Sequence, residues 1–393
     1  MCTVASQEWG DCRRRGLLLA TFSTIVSATN TPGDGTNTFI ISAPGSYFLV
    51  SNITGESGKH AVSIQSDDVT LDLNGFAVIG GGGGLFRGID VPAVQNNLCV
   101  RNGTVRGWTG GGVRTDLATS TFAEKLRLMD NTGATGLALG NGSARDCVAT
   151  GNATGFVVGN GAEIKDSAAT ANGTGFVASD RSMISNCIAT VNTGDGFRCT
   201  SYVTIIDCTS GRNFGNGIVV QGLSTSIIRC NASRNIPSGT GIKAGTGCTV
   251  TDCTAGSNGV NGISVDFGSV VRNCTAQANI LNGILATASC QVIGNSCDSN
   301  STGILVTGND NRVDGNHCTV KDSTADWKCF DIRGDQNVIV RNTARGAVRR
   351  LGPLVFVVNA YFFNHNSNAY GPILGSATGQ ISSSSPWANF QNN

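Results

Sequence analysis

Cys187-Ile188-Ala189-Thr190-Val191-Asn192-Thr193-Gly194-Asp195-Gly196-Phe197 is answered one repeat later by Cys208-Thr209-Ser210-Gly211-Arg212-Asn213-Phe214-Gly215-Asn216-Gly217-Ile218. In both stretches a small residue stands two places after the Cys, an Asn five places after it, and a Gly with an apolar follower nine and ten places after it. The pattern extends outward in both directions. The Gly-apolar pair runs from Gly88-Ile89 to Gly303-Ile304 in ten intervals that average 21.5 residues. The Asn column runs from Asn131 through Asn152, Asn172, Asn192, Asn213, Asn235, Asn258 and Asn279 to Asn300, and the Cys column reads Cys147, Ser167, Cys187, Cys208, Cys230, Cys253 and Cys274. Columns held in register at such a period are the mark of stacked coils. In a parallel stack like residues fall on like residues about 4.8 Å apart, where Asn side chains can bond from coil to coil. The expected fold is therefore all-β, a single-stranded right-handed parallel β-helix (a β-solenoid) of roughly a dozen coils with capped ends. The Gly is expected to open each strand with a positive φ, and the residue after it to point inward.

Other repeats of similar length do not fit. A leucine-rich repeat needs several Leu per unit, and the G-G-x-G-x-D nonapeptide of calcium-binding solenoids does not recur. Bulk composition agrees with a repetitive β architecture: 54 Gly among 393 residues, 13% charged residues and 6% aromatic residues. A formal net charge of +1 gives no reason to expect nucleic acid as a partner. No apolar run is long enough to span a membrane.

Three segments follow. Residues 1–37 are a signal-like or capping segment: Arg13, Arg14 and Arg15 precede the apolar Leu17–Val26 and the small Ser27-Ala28, the order of a secretory signal. Residues 38–345 form the β-helix. Residues 346–393 form a C-terminal cap, strongly apolar over Leu354–Phe363 and followed by Tyr370, Trp387 and Phe390, with Gly371–Ser385 as a loop.

The segments Pro44-Gly45-Ser46-Tyr47-Phe48-Leu49, Asp67–Phe76 and Arg101-Asn102-Gly103-Thr104-Val105-Arg106-Gly107-Trp108, with Tyr370-Gly371-Pro372-Ile373 and Ser385–Phe390, resemble right-handed parallel β-helix repeat proteins of the pectin-lyase-like superfamily in bacteria. The resemblance runs from about Thr38 to the C-terminus. It implies a fold that hosts lyases, hydrolases, epimerases and adhesins, and so leaves the function open. Polysaccharide lyases of the superfamily carry calcium-binding carboxylates and an Arg or Lys base; no stretch of this chain matches such a motif residue by residue.

On the strand that begins at each Gly, the first outward positions are Asp90, Arg114, Ala138, Val157, Val177, Arg198, Val219, Lys243, Ser264, Leu285 and Leu305. The apolar middle offers nothing to move a proton and suggests an association surface. Acid, base and aromatic side chains concentrate at the N-terminal end. Asp90, Arg114 and Asp116, with Arg101, Arg106 and Trp108 in the neighbouring turns, are the candidate saccharide-binding residues. The alternative is a surface ion pair with Trp108 filling a corner. Asp146 and Asp166 are the one consecutive carboxylate pair in the column before the Cys, a weak calcium candidate because calcium wants six or more oxygens; no other metal or cofactor is implied. The column Cys are expected to be free buried thiols, with no C-x-x-C motif and with His60, His317 and His365 scattered. Cys2 and Cys12 could pair with each other. The expected function is a secreted or cell-surface β-helix that binds, or processes, a polysaccharide or cell-surface glycan. The alternative is a structural or adhesive solenoid that self-associates through the apolar stripe or the caps.

Overall fold

The computed structural model describes residues 23–320, 327–345, 348–351, 354–357, 361–363, 367–375 and 383–392. These residues form strands and no helix, so none of them lies in a helix long and apolar enough to cross a membrane. Each coil visits three walls. In one coil, Thr154–Val158 lies on a front sheet, Glu163–Lys165 on a flank sheet and Ala168–Thr170 on a rear sheet. The next coil repeats the path at Thr174–Ala178, Met183–Ser185 and Ile188–Thr190, with every pairing parallel and residue on residue. Among the described residues the front sheet counts fifteen strands, and flank and rear together form one continuous sheet of thirty. The chain is a right-handed parallel β-helix, as its columns predict.

The stack can be seen directly in its core. The rings of Phe156, Phe176 and Phe197 follow the ladder glycines and lie face to face at 4.9 and 4.8 Å, all fully buried. The Asn column forms a hydrogen-bonded ladder at the corner between rear and front. The Asn172 backbone N–H donates to Asn192 Oδ1 at 2.9 Å, and Asn172 Nδ2 donates back to Ala149 O at 3.0 Å. The same exchange repeats from Asn131 to Asn300, which satisfies turn amides that burial would otherwise leave unpaired.

The glycines serve a purpose other than the expected one. No ladder glycine from Gly88 to Gly303 has a positive φ. A Cβ on Gly175 would meet Gly196 O at 2.4 Å and Asn192 Nδ2 at 3.0 Å, so the column is glycine because the next coil leaves no room. Left-handed φ instead falls on three other columns, one of them at the front–flank corner through Arg181, Tyr202 and Ser224. A second is the residue before the Cys: Asp146, Asp166, Asn186, Asp207, Arg229, Asp252 and Asn273, at φ between 48° and 55°. The third is the residue before the Asn, including Ala171, Val191 and Arg212. Asp and Asn tolerate that region best, which explains their share of the column before the Cys.

Every Cys among the described residues is free, and all but Cys99 are buried. The column thiols sit at the flank–rear corner and donate to the carbonyl two residues back, as Cys208 Sγ does to Ile206 O at 3.2 Å. Towards the C-terminal end Asn295, Asn316, Asn342 and Asn389 take over this corner and form a second ladder. A third runs through Asn311, Asn337 and Asn368. Cys2, Cys12 and His365 lie outside the described residues.

The coils also reach further than 38–345. Thr24-Ile25 pairs in parallel with Tyr47-Phe48, and Tyr361–Phe363 joins the front sheet beside Phe330–Ile332. Asn389–Asn392 lies beside Thr343–Arg345. What the sequence suggests as a separate C-terminal cap is thus partly further coil, interrupted by the antiparallel hairpin Val348–Leu351/Leu354–Val357. The signal-like run Arg13–Phe22 and loop residues 376–382 lie outside the described residues.

Candidate functional site

The front sheet places the outward column in the expected order. Ser63, Asp90, Arg114, Ala138, Val157, Val177, Arg198, Val219, Lys243, Ser264, Leu285, Leu305 and Asp331 are paired from coil to coil. At its N-terminal end Asp90 is 3% exposed although it points away from the core. Two guanidinium groups cover it: Arg114 Nη2 donates to Asp90 Oδ2 at 3.1 Å, and Arg87 Nη1 lies 3.5 Å from Oδ1. Arg114 Nε is 2.7 Å from Oδ1 but off the hydrogen-bonding direction, so that oxygen has an ion-pair neighbour and no directed donor. Asp116, exposed, sits 3.9 Å from the same Nε.

His60 joins this group from the preceding coils. Its Nδ1 accepts the Arg87 backbone N–H at 3.0 Å, and its ring stands edge-on to Phe86 at 5.2 Å. Burial pushes the imidazole pKa below its ordinary value, with Arg87 and Arg114 adding to the effect and Asp90 opposing it. A neutral His60 with Nδ1 occupied carries its proton on Nε2 and is a hydrogen-bond donor. The four charges Arg87, Arg114, Asp90 and Asp116 cancel. The arrangement suits a neutral, hydroxyl-rich ligand better than proton transfer, because its most buried carboxylate is already engaged by two guanidiniums.

Three of the six sequence candidates therefore come together: Asp90, Arg114 and Asp116. The others do not. Arg101 lies on the flank sheet, paired with Asp72 at 3.0 Å, and Arg106 ends the same long strand, Cys99–Arg106, beside Met129 at the rear. Trp108 is 3% exposed. Its backbone N–H donates to Asn131 Oδ1 at 3.1 Å and its Nε1 to Val78 O at 3.2 Å. It thus heads the Asn ladder one repeat before Asn131, and its ring fills the space beside Gly55, where a Cβ would meet it at 2.2 Å. Trp108 cannot offer a face to sugar; the corner-filling alternative is the correct one.

Asp146 and Asp166 are left-handed corner residues, and Asp166 Oδ1 accepts from Asn186 Nδ2 at 2.6 Å. Two carboxylates fall short of the oxygen count calcium wants. Among the described residues no group of three or more His, Cys, Asp or Glu side chains is placed to hold a metal ion.

Sequence reasoning missed two further clusters on the front face. Asp331, in the same column as Asp90, is 1% exposed and engages Lys328 Nζ at 3.2 Å and Arg333 Nη2 at 2.9 Å, while Lys328 also lies 3.9 Å over the Phe362 ring. Midway, Arg198 pairs with Asp195 at 2.9 Å, and Asp195 also accepts the Asn216 N–H. The signal was present: Arg87-x-x-Asp90 and Lys328-x-x-Asp331 share one spacing across a strand start.

Comparison with known proteins gives one partial family match and several distant structural similarities. A family model described as periplasmic copper-binding protein (NosD) matches residues 200–370. Among the described residues of this span the thiols are buried and no group of three or more His, Cys, Asp or Glu side chains is placed to hold a metal, so these residues do not fit a copper centre. No curated protein matches the chain. Solved structures to which it is similar include two epimerases and a surface adhesin. The Azotobacter vinelandii mannuronan C-5 epimerase AlgE6 A-module is 16% identical with a TM-score of 0.49, over 76% of this chain and 90% of that one. The periplasmic alginate epimerase AlgG is 12% identical with a TM-score of 0.40, over 93% and 80%. PfbA, a surface adhesin of Streptococcus pneumoniae, is 10% identical with a TM-score of 0.35, over 81% and 92%.

Proposed function

We propose that the chain is a polysaccharide-binding β-helix acting in the periplasm or outside the cell, and that a glycan lies along the front sheet parallel to the solenoid axis. One observation carries this reading: three ion-paired clusters, at Asp90, Asp195 and Asp331, stand on one face, with Ala138, Val157 and Val177 in register between the first two and Val219, Lys243, Ser264, Leu285 and Leu305 between the last two. Fixed donors bind hydroxyls, and the half-buried Val157, Val177, Leu285 and Leu305 between them offer C–H surface to sugar rings. The signal-like order of residues 13–28 and the periplasmic description of the matching family model support the location.

A glycan array tests the proposal. Retention of at least one polysaccharide, lost in Arg114→Gln and weakened in Val177→Asp, is the expected result. An array without retained glycan, together with concentration-dependent self-association in sedimentation that Val177→Asp abolishes, would replace this reading with the self-associating solenoid.

A further inference from the structure

The flank sheet carries a feature that the front-face reading does not use. Near its C-terminal end a groove of about 590 Å³ is lined by Arg272, Gln291, Ile293, Arg312, Asp314 and Arg341, with Asp310 at its rim. Arg272, Ile293, Asp314 and Val340 follow one another in a single outward column on four successive coils. Asp314 is 1% exposed. Arg312 donates to its Oδ2 from Nε at 3.0 Å and from Nη2 at 2.6 Å, and Arg341 donates to Oδ1 from Nε at 2.7 Å and to Oδ2 from Nη2. These bonds hold the carboxyl ionised, below its ordinary pKa.

Asp314 is thereby saturated, but its partners are not. A guanidinium has five N–H donors, and each of these spends two on the carboxylate. The side chains of Arg312 and Arg341 remain about half exposed, so the free donors of two rigidly held cations face the groove. Arg272 is exposed two coils away and has no carboxylate partner among the described residues. Three arginines against Asp310 and Asp314 leave a surplus positive charge. Past Arg341 the next layer presents Trp387, 50% exposed and 5.5 Å from the Arg341 guanidinium. Along the axis the order is cation, apolar Ile293, cation pair, indole.

Two coils separate Arg272 from the Asp314 pair, roughly 10 Å at the spacing of stacked strands. That is close to the length of a disaccharide, and Ile293 lies between the charges where an uncharged sugar would sit. We propose that this groove binds an acidic glycan whose anionic group, carboxylate or sulfate, recurs on every second sugar. Arg272 and the Arg312–Arg341 pair take successive anionic groups, Ile293 faces the intervening ring, and Trp387 stacks on the next.

The site is independent of the front-face proposal and is tested separately. Calorimetric titration of the full chain would use three oligosaccharides of equal length: one with an acid on alternate sugars, one with an acid on every sugar, and one neutral. Carboxylated and sulfated versions of the first separate the two anions. The alternating acidic oligomer is expected to bind best, with affinity falling as salt rises. Arg272→Gln, which breaks no ion pair, should weaken it about tenfold, the loss of one charged hydrogen-bonded contact, with an unchanged melting temperature. Trp387→Ala, which removes the exposed indole beside Arg341, should weaken it as well. Absence of binding to any acidic oligomer, binding that Arg272→Gln leaves within a factor of two, or equal affinity for the fully acidic oligomer would each overturn the proposal. None of these outcomes bears on glycan binding at the front sheet.

Discussion

Replacing Asn192 by alanine is the sharpest test of what holds the coils together. Asn192 Oδ1 accepts the Asn172 backbone N–H at 2.9 Å and Asn172 Nδ2 at 3.3 Å. Its Nδ2 donates to Ala169 O at 3.2 Å and to Asn213 Oδ1 at 2.8 Å. Alanine removes all four contacts, while the Asn192 backbone N–H keeps its bond to Asn213 Oδ1 at 3.0 Å. One buried backbone donor, the Asn172 N–H, is left without this partner, while the Ala169 carbonyl loses its side-chain donor but stays within the rear ladder. At about 1–3 kcal/mol for an unsatisfied buried group, the loss is roughly 1–3 kcal/mol. Asn192→Asp should cost a comparable amount by another route: the acceptor for the Asn172 N–H survives, but both donors vanish and a carboxylate faces Asn213 Oδ1. Urea denaturation gives the total, and hydrogen exchange at the Asn172 amide gives the local effect. Because a solenoid is stabilised largely by nearest-neighbour interfaces, protection should fall most in the coils adjoining residue 192. A loss below about 1 kcal/mol with Asn172 still protected would show that the ladder is a consequence of stacking and contributes little to it.

Other expectations concern the core, the thiols and pH. Phe176→Ala opens a gap between two stacked rings and should cost about 3–5 kcal/mol in chemical denaturation. Alkylation of the native protein at pH 8 followed by peptide mapping should leave Cys147 and Cys329 unmodified, since burial pushes both thiols up to about 12. Cys99, partly exposed, should be the first described cysteine to react. His60 has a depressed pKa, so its contribution to stability is fully present above pH 6.5 and is lost as pH falls through the lower folded value. The difference in melting temperature between wild type and His60→Gln should accordingly shrink on acidification from pH 7.5 to 5, and a constant difference would contradict that assignment.

The stack was legible in the sequence because each column is chemically uniform. A buried Asn, a Cys with a small residue two places on, and a Gly before an apolar residue recur too often to be read otherwise. The reason for the glycines was not legible, because positive φ and close approach select the same residue, and only the distance to Gly196 O separates them. The second and third Asn ladders escaped notice because Asn295 and Asn311 replace Cys274 and Cys290 in their columns, and a change of residue type looks like the end of a pattern. Of the candidate site, alternation predicted the pairing of Asp90 with Arg114. It could not assign Trp108, whose coil carries an indole where its successors carry Asn, nor His60, which comes to Asp90 from 30 residues away.

The in-register columns also make the molecule a ruler. Deleting one full repeat returns every Asn to an Asn, every Gly to a Gly and every corner to a corner, while shortening the distance between the Asp90 and Asp331 clusters by about 4.8 Å. Deleting part of a repeat sets side chains from one wall against another. Length in this chain is therefore quantised, and the separation of two binding clusters can change through gain or loss of whole coils without alteration of either cluster.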